Sequence, residues 1–168
     1  MTGNLMDDNN KKLIEKLSKD QQKVYDLFSS LNECEWNMEV YVNWKVRDIL
    51  AHFISAEKAF LELFESIRLS SGELPNDFSI DDYNNSEIEK YKNIRPNDLI
   101  KDFMNTRNKT IDWVRQVKAD ELDLIGRHPA MGYTKLREMI RMICLHNQIH
   151  IRDVSAILKP NLYSSNLK

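Results

Sequence analysis

Glycine and proline are scarce, four of each in 168 residues. Sandwiches and barrels spend those residues on frequent turns, so all-β architectures are excluded. A basic excess is lacking too. Lys and Arg number 24 against 26 Asp and Glu, a formal net charge of −2. A surface that grips nucleic acid needs surplus cation, so no nucleic-acid partner is expected. Cysteine is limited to Cys34 and Cys144, too few and too far apart for a disulfide framework, which suits a reducing, cytoplasmic location. No uncharged apolar run approaches the roughly 18–20 residues that span a bilayer. Residues 1–12 are polar and acidic with no apolar stretch, so no secretory leader is expected. Basic amphipathic segments, lipidation motifs, a P-loop, a dinucleotide fingerprint and a G-x-S-x-G elbow are all missing.

What remains is a chain with 42% hydrophobic residues, enough for a core, arranged with helical periodicity. Four long segments carry it, over 8–31, 44–68, 96–117 and 134–158. In the first, Leu13, Leu17, Val24, Leu27, Phe28 and Leu31 form one apolar stripe, and Asp7 and Asp8 suit the positive end of a helix dipole. Asn43 is a plausible N-cap for the second. Pro96 fits the first turn of the third, and Pro160 stops the fourth. Residues 32–43 read as a linker. Residues 69–95 read as a long one with a short helix near 85–91, long enough for the third helix to start at either end of the bundle. Residues 118–133, with Gly126, His128, Pro129 and Gly132, read as a loop. The expected fold is all-α, a four-helix bundle in one domain over residues 1–168, with a long connection between helices 2 and 3.

The four histidines are His52, His128, His146 and His150. His146 and His150 lie one turn apart and about 40° apart around the helix, so both imidazoles can reach one ion. Spacing alone is weak evidence. The face is more telling. His146 shares its side of the fourth helix with Met139, Met142, Ile143 and Ile157, and His52 shares its side of the second with Ile49, Ala56, Ala59 and Leu63. Three imidazoles on core stripes need partners, and a shared divalent cation would serve all of them. The plain alternative is three hydrogen-bonded core histidines. Asp48 and Asp153, a turn from His52 and His150, could orient the rings or instead pair with Arg47 and Arg152; Ser55 and Gln148 could also contribute. His128 reads as a solvent-exposed loop residue, with a place at the mouth of a cleft as the lesser alternative. Cys144 reads as a packed core thiol and Cys34 as the more accessible one. Glu57 is a candidate general base, and Trp44, Tyr83 and Tyr133 are candidate pocket residues.

The run Asn43-Trp44-Lys45-Val46-Arg47-Asp48-Ile49-Leu50-Ala51-His52 resembles the W-x-V-x-D-hydrophobic-hydrophobic-x-H signature of the DinB/YfiT-like metal-binding superfamily. The segment from His146 to Val154 resembles its HxxxHxxD signature, with weaker similarity around Phe103 to Asn108 and at Tyr83-Asn84. The superfamily includes the N-terminal domain of mycothiol-dependent maleylpyruvate isomerases. The resemblance implies a four-helix bundle with His52, His146 and His150 as metal ligands. His146 stands where the isomerases are expected to carry a carboxylate, which places the chain nearer the YfiT-like branch. Nickel and zinc are the expected ions. The function implied is transfer of a low-molecular-weight thiol, bacillithiol or mycothiol, to a small electrophile. A metal-dependent hydrolase and a non-catalytic, stress-related metal-binding module are the alternatives. Surplus aromatic and Met residues make a homodimer a further expectation.

Overall fold

The computed structural model describes residues 8–70, 74, 75 and 77–159. Asp7 and Pro160, assigned to helix ends above, lie outside the described residues. Four long helices form the body: α1 (Asp8–Ser29), α3 (Val46–Leu69), α5 (Pro96–Gln116) and α6 (Leu136–Leu158). Between them lie α2 (Glu33–Trp36), the hairpin of β1 (Glu39–Tyr41) and β2 (Trp44–Lys45), α4 (Ile80–Tyr91), a 3₁₀ turn (Glu121–Asp123), and the hairpin of β3 (Ile125–His128) and β4 (Gly132–Lys135). The all-α four-helix bundle and its long second connection are therefore present.

Helix α1 packs on α5 and α6, and α3 packs on the same two, so α1 and α3 sit diagonally. Directions follow from the cross-links. Asn10 at the start of α1 donates to the Val114 and Val117 carbonyls at the end of α5, so these helices are antiparallel. Arg47 at the start of α3 donates to the Ile94 carbonyl just before α5, so α3 and α5 run parallel. The long connection through α4 returns the chain to the end where α3 began. Helix α6 runs against α3: His52 near the start of α3 meets His146 and His150 at and beyond the middle of α6, and Phe64 toward the end of α3 shares a cluster with Leu136 at the start of α6. The bundle is up-down-down-up, an order that short loops alone would not produce.

Two apolar clusters fill the interior. One gathers Leu17, Phe64, Val114, Leu136 and Met139, the other Val24, Phe28, Leu50, Phe53, Phe103 and Val154. Cys144 is packed in the first, and burial pushes its thiol up to about 12. Cys34 is exposed on α2. Among the described residues no helix is long and apolar enough to cross a membrane.

Three connections differ from expectation. Residues 32–43 are not a plain linker: Asn32 caps α2 through a reciprocal bond pair with Glu35, and β1 follows. Asn43 is not the cap of α3. It occupies the β1–β2 turn at φ 65°, a left-handed conformation that Asn tolerates, and Lys45 precedes the helix instead. Residues 118–133 are largely the 3₁₀ turn and a hairpin. Gly132 closes that hairpin at φ +69°, and Gly126 lies so close to α3 that a Cβ would stand 2.2 Å from the Ile67 side chain. The absent side chain lets the β3–β4 hairpin lie against the bundle. Strand alternation then turns Gly126 and His128 inward together.

Candidate metal centre

His52 is on the second turn of α3, and His146 and His150 are one turn apart on the facing side of α6. Antiparallel packing brings the three together. Nε2 of His146 lies 2.8 Å from Nε2 of His52 and 3.2 Å from Nε2 of His150. All three residues offer nitrogens within 4.8 Å of one another, a grouping able to hold a metal ion. Two donors each about 2.0–2.1 Å from one ion stand about 3 Å apart, so the observed spacing suits a shared cation. The donor chemistry suits it as well. Burial, then the neighbouring imidazoles, lowers His52 to about 2, and burial and His150 lower His146 to about 4. Burial also lowers His150. All three rings are neutral at neutral pH, the form in which imidazole binds metals.

The hairpin of β1 and β2 covers this cluster. Tyr41 donates its hydroxyl proton to Asp153 Oδ2 at 2.6 Å, and the same oxygen lies 2.8 Å from His150 Nδ1. A phenol has one proton to give, so its oxygen accepts from His150 Nδ1–H. That fixes the tautomer of His150 and leaves its Nε2 lone pair facing His146. The Trp44 ring meets His52 edge-on, 5.1 Å between centroids. Nδ1 of His52 is buried without a partner among the described residues, so His52 has only what it meets at Nε2.

The three histidines line one side of a cavity of about 420 Å³. Its walls are mostly apolar, with Trp44, Ala56, Phe60, Leu63, Leu74 and Met142 among them, and Tyr83 and Asn84 of α4 contribute a polar rim. Such a volume suits a small molecule.

The other expected residues divide. Trp44 and Tyr83 line the cavity, whereas Tyr133 is 65% exposed and lies outside it. Asp153 does serve the cluster, but through Tyr41, while also pairing with Arg152. Asp48 instead accepts from the Lys45 backbone N–H and caps α3. Ser55 donates to the His52 carbonyl, and Gln148 is exposed. Glu57 is not a general base facing substrate: it is buried in a two-pronged pair with Arg107. His128 is not an exposed loop residue. It is 3% exposed and lines the same cavity as the triad. Tyr41 was missed because its role depends on a hairpin whose only local signal is the two-residue turn before Trp44.

A sequence profile of the DinB superfamily matches residues 16–154. No curated protein matches the chain. Among solved structures, YfiT from Bacillus subtilis, described as a probable metal-dependent hydrolase with an unusual four-helix bundle topology, is similar with a TM-score of 0.72 at 14% identity, over 94% of this chain and 90% of that one. The mycothiol-dependent maleylpyruvate isomerase is similar with a TM-score of 0.69 at 17% identity, over 86% of this chain. This chain covers 60% of the isomerase's length. With the profile spanning most of its residues and the bundle shared with both structures, the chain belongs to the DinB superfamily.

Proposed function

We propose that the protein is a metal-dependent enzyme in which His52, His146 and His150 hold one divalent ion, zinc or nickel, and that it joins a low-molecular-weight thiol to a small electrophile. The observation that supports this most is the convergence of three neutral imidazole nitrogens on a cavity of small-molecule size. Three ligands leave at least one position for a reactant. A divalent ion there supplies Lewis acidity, enough to ionise a coordinated thiol or to bring water toward neutrality.

The carboxylates favour the thiol. Glu57 is held by Arg107 and Asp153 by Tyr41 and Arg152. Asp81, the carboxylate among the lining residues, is exposed at the rim. Hydrolysis gains from a positioned general base, whereas an ionised thiol needs none. In the transfer the thiol proton passes to solvent, sulfur bonds to the electrophilic carbon, and the leaving group departs with the bonding electrons. Trp44 and Phe60 exclude water, and Tyr41 with Asp153 orients His150. The second reading is a hydrolase, favoured by the shared fold over 90% of YfiT's length.

Within the same proposal, residues 1–168 act as one domain, and a second copy is a partner through exposed Leu145 and Ile149 of α6, which sedimentation tests. The enzymatic reading is tested by elemental analysis of untagged protein beside His52, His146 and His150 variants, then by thiol consumption with monochlorobimane and bacillithiol or mycothiol. One ion per chain, lost in the variants, and metal-dependent conjugation are expected. Turnover of ester or amide substrates without thiol supports the hydrolase. Metal without any reaction leaves the non-catalytic module.

A further inference from the structure

Residues 49–55 of α3 are all buried, yet Ala56, Ala59 and Phe60 just beyond them keep accessible surface and line the cavity. His52, Ala56, Ala59 and Leu63 fall on one face of the helix, within about 60° of one another, and the two alanines stand about 6 and 10 Å along the axis from His52. Each offers a methyl group where a longer side chain would fill the space beside the triad. Trp44, Phe60 and Phe78 add rings to the walls. Charge is nearly absent from them. Among the described lining residues there is no Lys or Arg, and the Asp81 carboxylate is exposed at the rim. The sequence of residues 70–80 holds no Lys or Arg either. Cations on neighbouring elements are committed elsewhere: Lys58 to Asp102 and the Tyr91 hydroxyl, Arg127 to the Leu74 and Pro75 carbonyls. An anion seated on this surface would lose its water and gain no cation from the walls, and Asp81 would repel it on entry.

We infer that the electrophile is an uncharged, apolar, ring-bearing molecule seated on Ala56 and Ala59, and that the cavity refuses carboxylates and phosphates. This names the substrate class within the thiol-transfer reading and rests on the cavity being the substrate site. Apolar surface that the fold leaves open is covered by apolar ligand atoms at little desolvation cost, and ring-lined walls favour a flat ligand. Ala59 is then a specificity-determining residue, because a larger side chain there takes the volume that the ring would occupy.

The test uses 4-phenyl-1-butanol and 4-phenylbutanoate, probes alike in body that differ in charge. Their affinities for the full-length chain are measured by calorimetry at neutral pH without zinc, so that only the protein walls are read. The alcohol should bind at least about tenfold more tightly than the butanoate. Ala59→Leu should weaken the alcohol at least about fivefold, and Ala56→Leu carries the same comparison if the first variant does not fold. No measurable binding of the alcohol, equal or tighter binding of the butanoate, or an unchanged alcohol affinity in a folded leucine variant overturns the inference. Zinc uptake by the wild type is read separately by elemental analysis. Its failure would overturn the metal-site reading and leave the probe ranking standing, whereas a reversed ranking beside normal zinc uptake would overturn this inference alone.

Discussion

Two polar clusters sit side by side in this bundle, supplied by overlapping sets of helices, and they are built on opposite principles. One is charged and closed. Arg107 of α5 donates to both oxygens of Glu57 from α3, to Asp20 Oδ2 and to the Leu17 carbonyl of α1, while Asn147 of α6 donates to Asp20. Arg107, Asp20 and Glu57 are all but completely buried. Burial pushes the Asp20 carboxyl up against the pull of the Arg107 charge, and the Glu57 carboxylate adds a smaller push in the same direction. The other cluster, five residues before Glu57 and one before Asn147, is neutral and open: three imidazoles face one another on a cavity wall. Charges paired inside the protein tie four helices together, although Asp20 Oδ1 has no hydrogen-bond partner among the described residues. Lone pairs gathered on a cavity are suited to a partner from outside.

The comparison can be broken at its closed side first, where the effect should be largest. Arg107→Leu leaves Glu57 and Asp20 buried without their cation, a change that costs about 3–5 kcal/mol in comparable pairs. Urea unfolding should show that loss. A triple replacement of Arg107, Glu57 and Asp20 by apolar residues of similar volume should recover most of it, because the desolvation cost leaves with the charges.

On the open side the readout changes from stability to metal. His146→Ala removes the nitrogen that faces both others, and zinc affinity by calorimetry should fall at least about 100-fold, more than the loss typical of a supporting residue. In the wild type, excess zinc at about 100 times its dissociation constant should add about 2.7 kcal/mol of stability. A chelator should remove that increment, and in the His146 variant at the same zinc concentration it should remove no more than about 0.4 kcal/mol. Next in size is Tyr41→Phe. It keeps the ring over His150 but breaks the link to Asp153, so zinc affinity should fall about 10- to 100-fold, with metal-free stability little changed. If Arg107→Leu abolished metal binding in protein that is still folded, or if His146→Ala unfolded the metal-free chain, the division of labour would be wrong.

The two clusters were also unequally legible. The long helices follow from 3.6-residue periodicity, and the triad from the face on which His52, His146 and His150 fall, because each test needs only one helix at a time. The resemblance to known signatures reached the same three residues. The closed cluster was invisible: Asp20, Glu57, Arg107 and Asn147 come from four helices, and a lone charged residue on a helix looks like solvated surface until the packing partners are known. Glu57 accordingly reads as a candidate base in the sequence and is a partner of Arg107 in the fold. His128 reads first as an exposed loop residue for a related reason. Gly, Pro and Gly around it signal a loop, and only the pairing of β3 with β4 and the approach of Gly126 to Ile67 turn the imidazole inward. Tyr41 acts across 109 residues of sequence, a distance at which no local pattern speaks.

The finest distinction between the clusters lies in how the metal-free protein responds to acid. His52 is 5% exposed, and burial together with its two imidazole neighbours lowers it to about 2, whereas in the unfolded chain it titrates near its ordinary value of about 6.5. Between those values the unfolded chain binds a proton that the folded chain refuses. Stability therefore falls as pH drops below about 6.5, with a slope approaching about 1.4 kcal/mol per pH unit for this one residue. Replacing His52 by Leu removes the refused proton, so metal-free His52→Leu should show a shallower decline between pH 6.5 and 4.5 than the metal-free wild type, measured by urea unfolding across that range. Parallel curves would mean that the His52 imidazole takes up its proton in the folded state and is hydrated there, and the contrast between a sealed charge cluster and a neutral, desolvated one would lose its electrostatic basis.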